Sequence, residues 1–137
     1  MLISAPAECF SHAMELAPRR FADTLVLAVA GRIDHQNAKA FHAALTPHLA
    51  GCTAEGDRLV LDLSGLDYIS SAGLRVFMVA AKQTKPQGGT LAIAGLQPRI
   101  QEVFAITRFD LVLQMFPSVR EALARVSPAA LAAFGGG

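Results

Sequence analysis

Short apolar runs of strand length alternate with helical periodicities along most of this chain. "HAMELA" alternates weakly, "PRRFAD" supplies turn chemistry through Pro18 and Asp23, and "TLVLAVAG" is a Val/Leu-rich run closed by Gly31. Together they predict an N-terminal β-hairpin. After "RIDHQ", the apolar positions Ala38, Phe41, Leu45 and Leu49 recur at helical spacing and predict an amphipathic helix over roughly residues 37–49. "AGCTAEGD" reads as a surface loop, and "RLVLDLSG" is a second run of β-type composition. From Leu74 the pattern turns helical again, with Leu74, Phe77, Met78 and Ala81 on one face and Arg75 and Lys82 near the other. Pro86 and the glycine pair of "KPQGG" end that helix. "TLAIAGL" is the next strand, and "QPRIQEVFAITR" the next helix, with Pro98 near its first turn and Ile100, Val103, Phe104 and Thr107 in step. "LVLQMF" is a last strand, and "SVREALARV" a last helix whose Ser118 and Glu121 fit the S-x-x-E capping box.

Strands alternating with helices after one hairpin describe a small α/β domain with a mostly parallel sheet. The length of 137 residues favours one domain with a single core. The opening twelve residues read as a loose arm, and the tail "SPAALAAFGGG" is expected to fray. Hydrophobic residues make up 53% and charged residues 17%, enough apolar material to bury that disorder is not expected.

Charge and composition remove several function classes. The net charge is +1, from twelve basic and eleven acidic residues spread along the chain, and no basic cluster interleaved with aromatics offers a nucleic-acid footprint. Cys9 and Cys52 stand apart, without metal-ligand neighbours, and read as isolated thiols of a reducing compartment. His12, His35, His42 and His48 lack zinc-finger spacing, so no metal site is expected. No apolar stretch is long and clean enough to span a bilayer, and "MLISAPAECFSH" lacks the features of a secretion signal. A cytoplasmic protein without membrane insertion, direct nucleic-acid binding or cofactor is the expectation.

The chemistry concentrates in "LDYISSAGLRV", where an apolar run ends in two serines and a second begins at once. A serine at a strand-to-helix junction is a preferred N-cap, which accounts for one of Ser70 and Ser71 and leaves the other spare. A nucleophile elbow, G-x-S-x-G, fails because Ile69 holds the place of the leading glycine and no histidine follows residue 48. "PQGGT" lies after a helix and before a strand, the reverse of a phosphate-binding loop. Covalent modification remains open. At a helix start the first-turn amides and helix dipole tolerate a phosphoryl group, which would still change any docking surface around it.

"LVLDLSGLDYISSAGLRVFMVAAKQTKPQGGTLAIAGL" with "IQEVFAITRFDLVLQMFPSVREAL" resembles the STAS domain of bacterial anti-sigma factor antagonists, and "LAVAGRIDHQNAKAFHAAL" extends the resemblance backwards. It covers roughly residues 14–126. The resemblance implies a STAS fold: a mixed sheet of four to five strands, hairpin then parallel strands, with about four helices mainly on one face. The expected layout is an arm over 1–12, the STAS domain over 13–127 and a flexible tail over 128–137. It also implies a partner switch rather than an enzyme. The unphosphorylated protein binds an anti-sigma factor that is also a serine kinase of the ATP-binding, histidine-kinase-like type. Phosphorylation ends that contact, and a PP2C-type phosphatase resets it. A monomer is expected, because the function requires exchange between partners.

The family's acceptor motif usually reads D-S-[ST]-G-L. Alignment on Gly73 and Leu74 puts Ser70 at the acidic position, Ser71 at the phosphoacceptor and Ala72 at the second hydroxyl position. The resemblance thus implies phosphorylation of Ser71 and a partner-facing edge comprising Asp34, Ser70, Ser71, Ala72, Gly73 and Arg75. For Asp34 an N-cap role is the competing reading, and for Arg75 that of a solvated helix residue. The missing aspartate also leaves room for an alternative, an unphosphorylated STAS subunit of a lipid-transport or scaffold complex.

Overall fold

The computed structural model describes residues 8–11, 14–108 and 113–135. Within them the chain order is β1 (Glu8–Ser11), β2 (Met14–Phe21), β3 (Thr24–Ile33), α1 (Ala38–Ala50), β4 (Arg58–Ile69), α2 (Ser71–Thr84), β5 (Leu91–Ala94), α3 (Pro98–Ile106), β6 (Gln114–Phe116), α4 (Val119–Val126) and α5 (Pro128–Gly135). The strands form one sheet in sequential order, β1-β2-β3-β4-β5-β6. The first two pairings are antiparallel and the remaining three parallel. Three successive crossovers of one hand between neighbouring parallel strands lay their helices on one face of the sheet, which is where α1, α2 and α3 lie.

The central stretches of β3, β4 and β5 are buried on both sides, so their runs are continuously apolar rather than alternating. Leu25, Leu27 and Val29 of β3, Leu59, Leu61 and Leu63 of β4, and Leu91 and Ile93 of β5 point to α1–α3. There Phe41, Phe77 and Phe104 stack in series, with ring centroids 5.5 and 5.6 Å apart. The intervening positions Val26, Val60, Ala92 and Ala94 face the opposite side, against Ala122 and Leu123 of α4 and Ala130 of α5.

The expected mixed sheet, hairpin first, is present, with differences at its ends. Residues 8–11, expected as part of a loose arm, pair with β2 as a short edge strand. "PRRF" continues β2 instead of turning, and the hairpin closes at Ala22–Asp23 with Phe21 opposite Thr24. Among the described residues β1 pairs only with Met14–Leu16, so Pro18 meets no partner there that needs its missing amide. The tail expected to fray is helical over 128–135. Ser127 starts it, its Oγ accepting from the Ala130 amide at 3.1 Å while its hydroxyl donates to Asp23 Oδ1 at 2.6 Å. Phe134 then packs edge-on against Phe21 at 5.2 Å. In α2 the buried stripe is Gly73, Val76, Phe77, Ala80, Ala81 and Thr84, so Leu74 and Met78 are half-buried flanks rather than the inner face. The first two residues of the expected strand "LVLQMF" lie outside the described residues.

Candidate functional site

Strands β3 and β4 run beyond β5 at the C-terminal end of the parallel strands. Their last pairs are Arg32 with Tyr68 and Ile33 with Ile69, after register shifts at Ala28–Ala30 and Gly31–Arg32. Gly31 adopts φ 97°, a left-handed conformation that costs glycine little and lets β3 resume pairing past the irregularity. The Ser70 amide then donates to the Ile33 carbonyl at 2.8 Å, which keeps the two strand exits together. That bond brings the Asp34 turn and the two serines to one corner of the sheet.

At this corner the serines take different environments. Ser70 is the N-cap of α2: its backbone is extended, the residue is 4% exposed, and its Oγ accepts from the Gly73 amide at 3.2 Å. Ser71 is the first helical residue and is exposed, and its hydroxyl makes no hydrogen bond among the described residues. Gly73 is buried, and a Cβ there would lie 2.7 Å from Ile33 Cγ2 and 2.8 Å from Ile69 Cγ1. The glycine therefore serves the close seating of α2 on the sheet. Ala72 is half-buried and Arg75 exposed, one turn beyond Ser71.

Asp34 is not the N-cap of α1, a place held by Asn37, but it braces the turn that leads into that helix. Its Oδ1 accepts from the amides of Gln36 at 2.9 Å and Asn37 at 3.0 Å. Asn37 returns the contact, its Oδ1 accepting from the Asp34 amide at 2.8 Å, and its Nδ2 donates to the Arg32 carbonyl at 2.8 Å. This reciprocal bracket closes the 34–37 turn just ahead of α1. Asn37, 5% exposed, is a structural member of the corner that the sequence reading missed. The D-x-x-N spacing just ahead of a helical periodicity was the available signal.

The exposed surface around Ser71 is mixed. The Arg32 guanidinium lies over the Tyr68 ring, 4.5 Å from its centroid, and Tyr68 is 39% exposed. Between α1 and α2 runs a groove of about 200 Å³ lined by the apolar Ala38, Ala72, Val76 and Val79 together with Lys39, His42 and Arg75. Of the residues expected on one partner-facing edge, Asp34, Ser71, Ala72 and Arg75 reach the surface here, whereas Ser70 and Gly73 are buried beneath it. Among the described residues, no group of three or more His, Cys, Asp or Glu side chains could hold a metal ion, and no helix is long and apolar enough to cross a membrane.

Known proteins share this architecture. BtrV of Bordetella bronchiseptica, provisionally named an anti-sigma factor antagonist, is 39% identical over 121 residues, covering 86% of this chain and 98% of its own. An anti-sigma factor antagonist from Mycobacterium paratuberculosis superposes with a TM-score of 0.74 at 22% identity, over 83% of this chain and 94% of its own. The Bacillus cell fate determinant SpoIIAA in its phosphorylated form superposes with a TM-score of 0.60 at 17% identity, over 83% and 99% respectively. The STAS domain model matches residues 16–122, from β2 into α4. On that match and the BtrV similarity, this chain belongs to the STAS domain family.

Proposed function

We propose that this protein is an anti-sigma factor antagonist whose partner contact is controlled by phosphorylation of Ser71. The observation that carries the reading is the division between the two serines. Ser70 is buried and its oxygen is committed to the Gly73 amide, whereas Ser71 is exposed and uncommitted on the first turn of a well-seated helix. A kinase can reach Ser71 without opening the domain, while modification of Ser70 would first require breaking the cap. The names of the relatives and the phosphorylated state of SpoIIAA favour the same reading.

In this reading the partner is an anti-sigma factor that is also an ATP-binding serine kinase. It docks on the corner formed by Asp34, Ser71, Ala72 and Arg75, with Ser70 and Gly73 as the support underneath. The Ser71 oxygen takes the γ-phosphoryl group of ATP, ADP leaves, and the hydroxyl proton is released. The product carries ~1.5 to 2 additional negative charges at neutral pH. First-turn amides and the helix dipole accommodate them within the fold, so the change falls on the docking surface. A PP2C-type phosphatase restores the hydroxyl.

Incubation with the kinase and ATP should add one phosphoryl group by intact mass to the wild type and to Ser70→Ala, and none to Ser71→Ala. Normal phosphorylation of Ser71→Ala would remove the assignment. Absence of phosphorylation, together with co-purification with membrane transporter components, would favour the alternative of an unphosphorylated STAS subunit.

A further inference from the structure

The groove beside Ser71 carries an imbalance of charge. Its lining holds Lys39 and His42 from α1 and Arg75 from α2, and no carboxylate. The two ion pairs among the described residues, Arg20 with Asp57 and Arg58 with Asp23, lie elsewhere and leave Lys39 and Arg75 without an acidic partner. The negative group of this corner, Asp34, directs its Oδ1 to two backbone amides. Arg75 is four residues after Ser71, and such helical neighbours share a face with Cβ atoms about 6 Å apart. Helices α1 and α2 both follow parallel strands, so their N-terminal ends lie at the same edge of the sheet, and Lys39 of α1 lines the same groove as Ala72 and Arg75 of α2.

We propose that a phosphoryl group on Ser71 is held in cis by Arg75 and Lys39, forming a clamp that closes the mouth of the α1–α2 groove. This rests on Ser71 being the acceptor and adds how the modification acts. The phosphoryl group supplies the missing anion, and Arg75 offers a planar fork that matches its oxygens. Phosphorylation then does more than repel a partner. It withdraws two cations from the docking surface and covers the apolar lining of Ala72 and Val76.

The test uses the full chain with phosphoserine installed at position 71 by genetic code expansion, so that it does not depend on any kinase. The phosphate is titrated by ³¹P NMR in the wild-type background and in Arg75→Gln, Lys39→Gln and Lys82→Gln backgrounds. Both Arg75 and Lys39 are exposed, so their substitution leaves the core intact. Arg75→Gln is expected to raise the titration midpoint by about half a pH unit, the size of an exposed ion pair, and Lys39→Gln by a smaller amount in the same direction. Lys82→Gln, at the far end of α2, should leave it unchanged. A midpoint unmoved by Arg75→Gln overturns the clamp. The kinase experiment on Ser71→Ala stands apart, so failure of the clamp and failure of the acceptor assignment are read separately.

Discussion

Replacing Ser70 by alanine should destabilise the domain, whereas replacing its neighbour Ser71 should not. The Ser70 Oγ accepts from the Gly73 amide at 3.2 Å, and both residues are buried, so water cannot take over the lost bond. Loss of an N-cap costs about 0.5–2 kcal/mol, and an amide left unpaired out of contact with solvent belongs in the upper half of that range. We therefore expect about 1.5 kcal/mol for Ser70→Ala, or roughly 5 °C in Tm for a domain of this size. Ser71→Ala removes an exposed hydroxyl with no hydrogen bond among the described residues and should stay within about 0.5 kcal/mol of wild type. Ser70→Asp, which restores the acidic residue usual at this place in the family, keeps an acceptor and adds a favourable charge at the helix N-terminus. That gain of about 0.3–1 kcal/mol is opposed by the burial of the site. Its stability should lie above that of Ser70→Ala and within about 1 kcal/mol of wild type. Urea unfolding followed by far-UV circular dichroism reads all three, provided the m-values agree. Coincident midpoints for Ser70→Ala and Ser71→Ala would refute the division of roles between the serines.

Two further predictions concern the two ends of the sheet. Gly73→Ala places a methyl within 2.7 Å of Ile33 Cγ2 and 2.8 Å of Ile69 Cγ1, so overpacking of about 1–3 kcal/mol should outweigh the gain of about 1 kcal/mol in helix propensity. Equilibrium unfolding should show net destabilisation, and a Gly73→Ala variant more stable than wild type would contradict the close seating of α2. At low pH the opposite end of the sheet should weaken. The Asp23 carboxyl is held below its ordinary range chiefly by the hydrogen bond from Ser127, and that of Asp57 chiefly by the bond from Arg20. Because both are depressed in the folded state, their stabilisation is full above the ordinary carboxylate value of about 3.9 and is lost as pH falls through the folded-state values. These carboxylates are largely solvent-accessible, so the combined loss should not exceed about 1 kcal/mol. Ser127→Ala should accordingly cost more at pH 6 than at pH 3 in urea unfolding, and an equal cost at both would count against the Ser127–Asp23 bond.

What could be read from the residues followed how local each cause was. The helix of Ala38, Phe41, Leu45 and Leu49 was legible because all four positions are buried on one stripe. The cap of α4 was legible because Ser118 accepts from the Glu121 amide, a bond contained within four residues. By contrast, α5 has an apolar composition with no helical rhythm, and its order comes from distant contacts: Ser127 on Asp23 and Phe134 on Phe21. A serine followed by proline is nonetheless an N-cap and first-turn signature, so its start was written locally even though its stability was not. The same limit applied to the inner face of α2. The sequence offers both Leu74 with Met78 and Val76 with Ala80 as apolar pairs, and the structure buries the second, on the side where Gly73 lies close to Ile33 and Ile69.

Two adjacent hydroxyls differ so completely because they belong to different backbone conformations. Ser70 is extended and turns its oxygen under the helix onto the Gly73 amide, whereas Ser71 is the first helical residue and lies on the exposed side of α2. Every bond that holds the corner uses Ser70, Gly73, Asp34 or Asn37, and none uses the side chain of Ser71. Charge added to Ser71 therefore meets no structural bond that it must break. On the proposed function, this separation lets the same fold persist in both states while its surface changes sign beside the groove. A regulatory residue carried by the cap itself would have coupled each phosphorylation event to partial unwinding of α2.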